Sequence, residues 1–337
     1  MKFICFSILL LATRLSAQPA KIIQDPRVDW AAVIELTLPA DPFFLPEEEG
    51  RDAGITVLKL LSDDRSLSAA IDYSLNGKLW QIAKSEQWEM YADAALTRRL
   101  PFEEAMRKFS HPDTTITFDP ETYEENVQIS FNENPLPFEA SQVKVRQILS
   151  YHNASAIFDI QTIAIAPCWE GNKVPYWLKI PTTPVVQPES INDQPDITWA
   201  ARYMTEDCSP TEERWEEVKN LTGDVVERFL DRIRNDNNVD LYDLNDELVQ
   251  PASRACLFSC ADTLAVFDPQ TWKETIQITN KGLDYEKLDD LQLVEEWYWQ
   301  EEEGVLITRL IAVAPRYWVY RDGEEAFRQA KFYRRCD

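Results

Sequence analysis

The sequence predicts an α+β fold built from two tandem copies of one module, each with helices followed by an antiparallel β hairpin or meander. Three observations predict it. A segment that starts at Phe118 is repeated from Phe267, helical periodicity occurs early in each copy, and branched apolar runs occur late. A repeat of roughly 150 residues is about as long as one folding domain, so each copy is expected to be a domain-sized unit.

Two short sequence motifs, which we call boxes, define the repeat. Residues 118–130 return as residues 267–279 with the shared start Phe-Asp-Pro, and Ile163-Ala164-Ile165-Ala166-Pro167 returns as Ile311-Ala312-Val313-Ala314-Pro315. Three further pairs extend the repeat, namely Trp30 with Trp199 (199 − 30 = 169), Tyr91 with Tyr242 (242 − 91 = 151), and Tyr176-Trp177-Leu178 with Tyr317-Trp318-Val319 (317 − 176 = 141). The offset falls from the first pair to the last, which predicts a second copy with shorter loops.

The chain is predicted to divide into five parts. In order these are a signal peptide (1–17), a first module (28–180), a proline-rich linker (181–196), a second module (197–322) and a basic C-terminal tail (323–337). The signal peptide is predicted because Met1-Lys2 precedes an apolar run and Leu15-Ser16-Ala17 suits signal peptidase. The linker is predicted from its four prolines, since proline-bearing polar stretches are typical of domain boundaries.

Each module is expected to contain one long helix and one hairpin. Apolar residues at intervals of three or four predict helices over Leu67–Lys84 and over Glu216–Arg234. Branched and aromatic residues predict two hairpins, Val143–Tyr151 with Ile157–Ala166 and Leu291–Trp299 with Val305–Ala314. The order of helix and then strands, found twice, favours an α+β module over alternating βαβ units.

Composition narrows the classes of function. The chain has 337 residues and a formal net charge of −24, which disfavours nucleic acid and anionic lipid as direct partners. Only eight glycines are present and none form a clustered phosphate-binding loop, so nucleotide use is not expected. No stretch after the signal peptide reaches the length of a membrane span.

The sequence predicts no catalytic, cofactor-binding or metal-binding residue. His111 and His152 are the only histidines, and neither has a counterpart in the other copy. Asp119 and Asp268 precede prolines and are interpreted as turn residues that accept backbone hydrogen bonds. A pair of catalytic carboxylates stays open, because such pairs are defined by their distance in space. The expectation is a protein that is not an enzyme.

Aromatic residues and cysteines leave alternatives open. Five tryptophans crowd the predicted hairpins and their exits, namely Trp169, Trp177, Trp297, Trp299 and Trp318. Core packing, a sugar-binding face and a protein interface all use such rings.

Five cysteines follow the signal peptide, namely Cys168, Cys208, Cys256, Cys260 and Cys336. An odd number leaves at least one thiol unpaired in an oxidising compartment, and the sequence does not give the pairing.

The order of these features resembles the GldN/PorN family of gliding-motility and type IX secretion proteins. The resemblance rests on the entry from Trp30 to Phe43-Phe44-Leu45-Pro46, on Leu241-Tyr242-Asp243, and on residues 293–298. Its most specific part is the run from Arg309 to Pro315 followed by Tyr317-Trp318-Val319. The family usually carries one such module where this chain carries two. The basic Arg-Glu-Lys segment of the family is absent from Val33–Pro42 and Arg202–Pro210.

The resemblance implies a periplasmic, non-enzymatic assembly protein associated with the outer membrane. Family members partner an outer-membrane lipoprotein in a large ring and contact inner-membrane motor components, so these are the implied partners. No cofactor is implied. The second hypothesis is a secreted carbohydrate-binding or carbohydrate-active protein, which the tryptophan clusters and the abundant acids motivate.

Overall fold

The computed structural model describes residues 24–39, 55–60, 67–109, 112–118, 125–131, 140, 142–169, 173–181, 194–205, 215–220, 225–243, 245–267, 270–271, 273–282, 290–321 and 324–336. The predicted signal peptide and most of the predicted linker lie outside these residues. The described chain is mostly β, so the predicted α+β class is wrong. Two antiparallel sheets of six and seven strands dominate it, with two additional two-stranded hairpins.

The strands of the described residues are numbered in chain order. They are β1 (Trp30–Pro39), β2 (Ile55–Leu60), β3 (Met90–Tyr91), β4 (Pro112–Phe118), β5 (Glu125–Phe131), β6 (Gln142–His152), β7 (Ile157–Cys168), β8 (Trp177–Lys179), β9 (Ile197–Thr205), β10 (Trp215–Asn220), β11 (Tyr242–Asp243), β12 (Ser259–Phe267), β13 (Glu274–Gly282), β14 (Asp290–Gln300), β15 (Val305–Arg321), β16 (Glu324–Ala330) and β17 (Phe332–Arg335). The helices are α1 (Leu67–Tyr73), α2 (Leu75–Ser85), α3 (Phe102–Phe109), α4 (Val225–Asn235) and α5 (Pro251–Leu257).

The two predicted hairpins are confirmed, and they match each other in detail. β6 pairs with β7, and β14 pairs with β15. Each pairing contains one β-bulge, beside Gln147 in the first hairpin and beside Glu295 in the second. The unpaired extra residues are Ile163 and Ile311, which are the first residues of the repeated Ile-Ala-x-Ala-Pro box. The box therefore marks a bulge that both modules keep.

The predicted helices are only partly confirmed. The first is split into α1 and α2 at Ser74, whose hydroxyl oxygen accepts a hydrogen bond from the Gly77 amide and caps α2. The second begins at Val225, because residues Trp215–Asn220 form β10 instead. Periodicity over 216–220 was overridden by pairing with a distant strand, which sequence pattern does not reveal.

The two sheets exchange a strand. β1 pairs with β10 of the second module, and β9 pairs with β2 of the first module. The registers correspond, since Trp30 lies opposite Asn220 and its counterpart Trp199 lies opposite Leu60. In both pairings the exchanged strand has one unpaired residue, and it lies between the second and third residue pairs counted from these tryptophans. The sheet orders, β10-β1-β6-β7-β8-β3 and β2-β9-β14-β15-β17-β11, therefore match strand for strand.

The end of the second module differs from the sequence prediction. Tyr317-Trp318-Val319 belongs to β15 and pairs with β16, so it is not the counterpart of Tyr176-Trp177-Leu178. β17 takes the place of β8, because Val313 pairs with Arg334 as Ile165 pairs with Leu178. The sequence offset between equivalent residues of the two modules is 334 − 178 = 156 at this strand. The offset therefore does not fall steadily along the chain, as the sequence had predicted. Residues predicted as a basic tail thus contribute the strands β16 and β17.

The helices also contact the opposite module. Lys78 Nζ of α2 lies 2.7 Å from Glu301 Oε2 in the β14–β15 turn. Trp88, which follows α2, donates from Nε1 to the Gly304 carbonyl in the same turn at 3.2 Å. Reciprocally, Arg232 of α4 donates to the Ala154 carbonyl at 3.0 Å in the β6–β7 turn. The last residues of the two turns, Ala156 and Gly304, both adopt positive φ. The contacts between the modules are therefore approximately isologous.

One hydrophobic core joins the two sheets. Its members come from both modules and include the fully buried Trp199, Trp297, Tyr151, Tyr203 and Phe229. Tyr203 packs on Trp297 with ring centroids 4.9 Å apart, and Phe229 of the second module packs edge-on against Phe158 of the first at 5.2 Å. None of the helices in the described ranges combines the length and the apolar character that crossing a bilayer requires.

The strand exchange is testable by disulfide formation. Thr56 and Arg202 are exposed cross-strand neighbours in the exchanged pairing, so cysteines at both positions are expected to oxidise to a disulfide. Val33 is the first-module equivalent of Arg202 and would be the neighbour of Thr56 if the strands were not exchanged. In a background with the native cysteines replaced, peptide mass mapping should find the bond in T56C/R202C and not in V33C/T56C. The reverse result would contradict the exchange.

Candidate functional site

The histidine among the described residues contacts the backbone near the start of β1. His152 ends β6, is partly exposed, and its Nδ1 lies 3.1 Å from the Arg27 carbonyl oxygen. His111 lies outside the described residues, as do Asp119 and Asp268, so their interpretation as loop and turn residues stays a prediction. Within the described ranges, no group of three or more His, Cys, Asp or Glu side chains could hold a metal ion.

The predicted tryptophan clusters are core residues. Trp169, Trp177, Trp297 and Trp299 are each at most 7% exposed. Trp299 packs near Trp88 across the two modules, with ring centroids 5.8 Å apart. The side chain of Trp318 lies outside the described residues. Four of the five rings are therefore used in packing and are not presented on a surface.

Two of the five cysteines have described side chains. Cys168 and Cys336 carry thiols. Burial raises the pKa of the Cys168 thiol, which weakens its reactivity because the thiolate is the reactive form. Cys208 and the side chains of Cys256 and Cys260 lie outside the described residues, so pairing among them stays open.

A buried polar contact lies at the centre of the shared core. Gln147 of β6 and Glu295 of β14 are both 0% exposed, and Gln147 Nε2 donates to Glu295 Oε2 at 2.7 Å. The two residues are 148 positions apart, as are the starts of the two hairpins that contain them. They are therefore equivalent residues of the two modules. A contact between equivalent residues lies on the pseudo-twofold axis that relates the modules.

Neighbouring polar groups extend this contact. Trp297 Nε1 also donates to Glu295 Oε2, at 2.8 Å. The Gln147 amide donates to Thr162 Oγ1 at 3.1 Å, and that hydroxyl lies 2.6 Å from Thr308 Oγ1 of the second module. Among the described residues, neither Glu295 Oε1 nor Gln147 Oε1 has a hydrogen-bond partner. A proton on the Glu295 carboxyl would give this group a hydrogen to donate, which the ionised form lacks.

The environment favours the neutral form of Glu295. Burial raises the pKa of this carboxyl, and the hydrogen bonds from Gln147 and Trp297 oppose the rise only in part. The cross-strand neighbour on β9 is Tyr203, whose ring packs on Trp297. The adjacent ion pairs lie on the other side of the strand. Glu295 is thus a carboxyl held in an apolar core without a counter-charge among the groups that determine its pKa.

The outer face of the second sheet carries a charged cluster. Glu296 accepts hydrogen bonds from Arg202 and from Arg309 Nε, the latter at 3.0 Å. Burial raises the pKa of Glu296, but the hydrogen bonds from Arg202 and Arg309 outweigh it and leave the pKa below its ordinary value. The equivalent positions in the first module are Val33, Ile148 and Gln161, of which the first two pack in an apolar cluster. The outer faces of the two modules have therefore diverged.

Sequence reasoning did not find the Gln147–Glu295 contact. The sequence does contain a signal of their equivalence. When Val143–Tyr151 is aligned with Leu291–Trp299, Gln147 and Glu295 occupy the same position of the alignment. What the sequence did not contain was the face-to-face packing of the two hairpins. Two residues that occupy equivalent positions in the two modules contact each other only when the modules pack about a twofold axis that passes between them.

Comparison with models of known protein families, with curated proteins and with solved structures gave no match.

The Glu295→Gln variant is expected to be more stable than the wild type at neutral and alkaline pH. Below a pH of about 4.3, the carboxyl is protonated in both the folded and unfolded states and adds no pH dependence. Above it the unfolded state ionises first, so wild-type stability falls as pH rises toward the raised folded pKa. The variant keeps the hydrogen-bonding shape of the neutral acid and loses this slope, which amounts to about 1.4 kcal/mol per pH unit between the two pKa values.

Urea unfolding at a series of pH values from 3 to 8 measures this effect. Glu296→Gln is the matched control, because the pKa of Glu296 is lowered and its contribution has the opposite sign. That variant should lose stability relative to wild type near neutral pH, and the loss should shrink as pH falls through the folded pKa. Parallel pH profiles for wild type and Glu295→Gln would show that Glu295 is ionised in the fold.

Proposed function

We propose that this protein is an exported, non-enzymatic assembly protein of the kind that the GldN/PorN resemblance implies. The observation that carries the proposal is the mutual completion of the two modules by strand exchange. Such an arrangement gives one rigid body with a duplicated scaffold, which suits a component that positions other proteins. The predicted signal peptide and the resemblance along both modules support the same proposal.

The corresponding edges of the two sheets offer surfaces for partners. In the first module Lys179 Nζ lies 3.3 Å from Glu89, and in the second module the equivalent residue Arg335 pairs with Asp246. Arg335 also lies over the Tyr242 ring at 4.1 Å. Leu248, on the same edge, is one of the two large apolar side chains exposed within the described residues. A body with two related edges can hold two related partners at once.

The implied partners are an outer-membrane lipoprotein of a secretion ring and inner-membrane motor components. The strongly negative chain suits contact with basic protein surfaces and disfavours nucleic acid. The carbohydrate-binding alternative loses its main motivation, because four of the five tryptophans that suggested it are buried.

Affinity purification of the tagged full chain from its native envelope, after mild cross-linking, tests the proposal. We expect to recover a lipoprotein of the outer membrane or a motor component in defined stoichiometry. A tagged exported protein of similar acidity is the control for charge-driven capture. Recovery of a monomer with neither partner, together with binding to a defined glycan on an array, would contradict the proposal and favour the alternative.

A further inference from the structure

We propose that Gln147 and Glu295 select the pairing of the first module with the second and exclude pairing of two second modules from different chains. The interaction surface is the module–module interface, and the partner it is built for is the other module of the same chain. This inference does not depend on the proposed function, because it concerns how the body itself is assembled.

Pairing of like modules is open to this scaffold on geometric grounds. Both modules contain the same strands, donate the same strand and receive it in the same register. An interface with approximate twofold symmetry fits two copies of one module as well as one copy of each. Something other than backbone geometry must therefore distinguish the correct pair from a pair of second modules.

The residue on the axis makes that distinction. In a pair of first modules Gln147 would meet a second Gln147, and in a pair of second modules Glu295 would meet a second Glu295. Two amides can hydrogen-bond to each other, but two buried carboxyls cannot both ionise, so at least one must hold a proton that the unfolded chain releases at neutral pH. The observed pair joins one amide donor to one carboxyl acceptor at 2.7 Å. A pair of second modules is thus penalised at neutral pH.

No described charge would neutralise a second carboxylate at this point. The elements packed around Glu295 contribute Tyr203 from β9, Leu310 from β15, Gln147 from β6 and Thr162 from β7. The described charged groups nearest along these strands are Arg146 of β6, which precedes Gln147 and so lies on the opposite face of its strand, and Glu296, Arg202 and Arg309, which bond to one another on the other face of the second sheet. The penalty on two facing carboxyls therefore stands, and it weakens as the pH falls toward the pKa of a carboxyl in the unfolded chain.

Trp297 explains why the carboxyl belongs to the second module. Its indole N–H donates to Glu295 at 2.8 Å, whereas the equivalent residue of the first module is the apolar Leu149. A carboxyl at position 147 would lack this donor. The double variant Gln147→Glu/Glu295→Gln, which exchanges the two residues on the pseudo-twofold axis, should therefore restore the amide–carboxyl contact without restoring full stability.

A variant cycle in the intact chain tests the axial contact. At pH 8, Gln147→Glu is expected to raise the unfolding equilibrium constant roughly 100-fold, because two carboxyls then meet on the axis. Adding Glu295→Gln should recover at least tenfold of this loss, since the double variant again pairs an amide with a carboxyl. Gln161→Glu, on the half-exposed outer face, is the matched control and should have little effect. Failure of the second substitution to rescue the first would overturn the proposal.

Choice of partner is tested with a protease site inserted between Pro181 and Gln194. The cleaved chain is unfolded in urea, refolded at pH 8 and examined by native mass spectrometry. Wild type should give only one-to-one complexes of the two fragments or pairs of first fragments, whereas Glu295→Gln should also give pairs of second fragments. Equal amounts of such pairs in wild type and variant would overturn the proposal. If the fragments do not reassemble, the variant cycle decides.

Discussion

The structure depends on one constraint, which is that neither sheet is complete without a strand from the other module. β1 and β9 are interior strands because β10 and β2 cover their outer edges. The helices that follow the exchanged strands in each module then lie against the hairpin turn of the other module. Backbone hydrogen bonds, aromatic packing and turn contacts thus all cross between the modules, and the two cannot separate without exposing strand edges and core.

The same constraint explains why a polar pair occurs in the core. Packing about a pseudo-twofold axis makes one residue meet its own equivalent, so a buried polar residue at that point must find its hydrogen-bond partner in the equivalent residue of the other module. Gln147 and Glu295 meet that requirement, and the indole of Trp297 supports the carboxyl on one side. Away from the axis the modules were free to diverge, as the charged and the apolar outer faces show.

Sequence pattern predicted the features that are local. The hairpins were predictable because branched residues, turn residues and a repeated box all lie within one stretch of chain. The fold class was not, since β1, β2, β9 and β10 become sheet strands only through partners far along the chain. β17 was missed because Tyr317-Trp318-Val319 resembles the first-module exit by its letters, while Phe332–Arg335 occupies the position. The axial pair requires the packing of the two sheets, which no local pattern contains.

Native-state hydrogen exchange measures the central claim directly, because it reports whether the modules open together. The peptides to compare are 142–152 of β6 and 290–300 of β14, followed by mass spectrometry as urea is increased below the unfolding transition. Mutual completion predicts that both peptides converge on one opening free energy and lose protection at the same urea concentration. Full loss of protection in one peptide while the other stays protected would show two independent domains and would contradict the account.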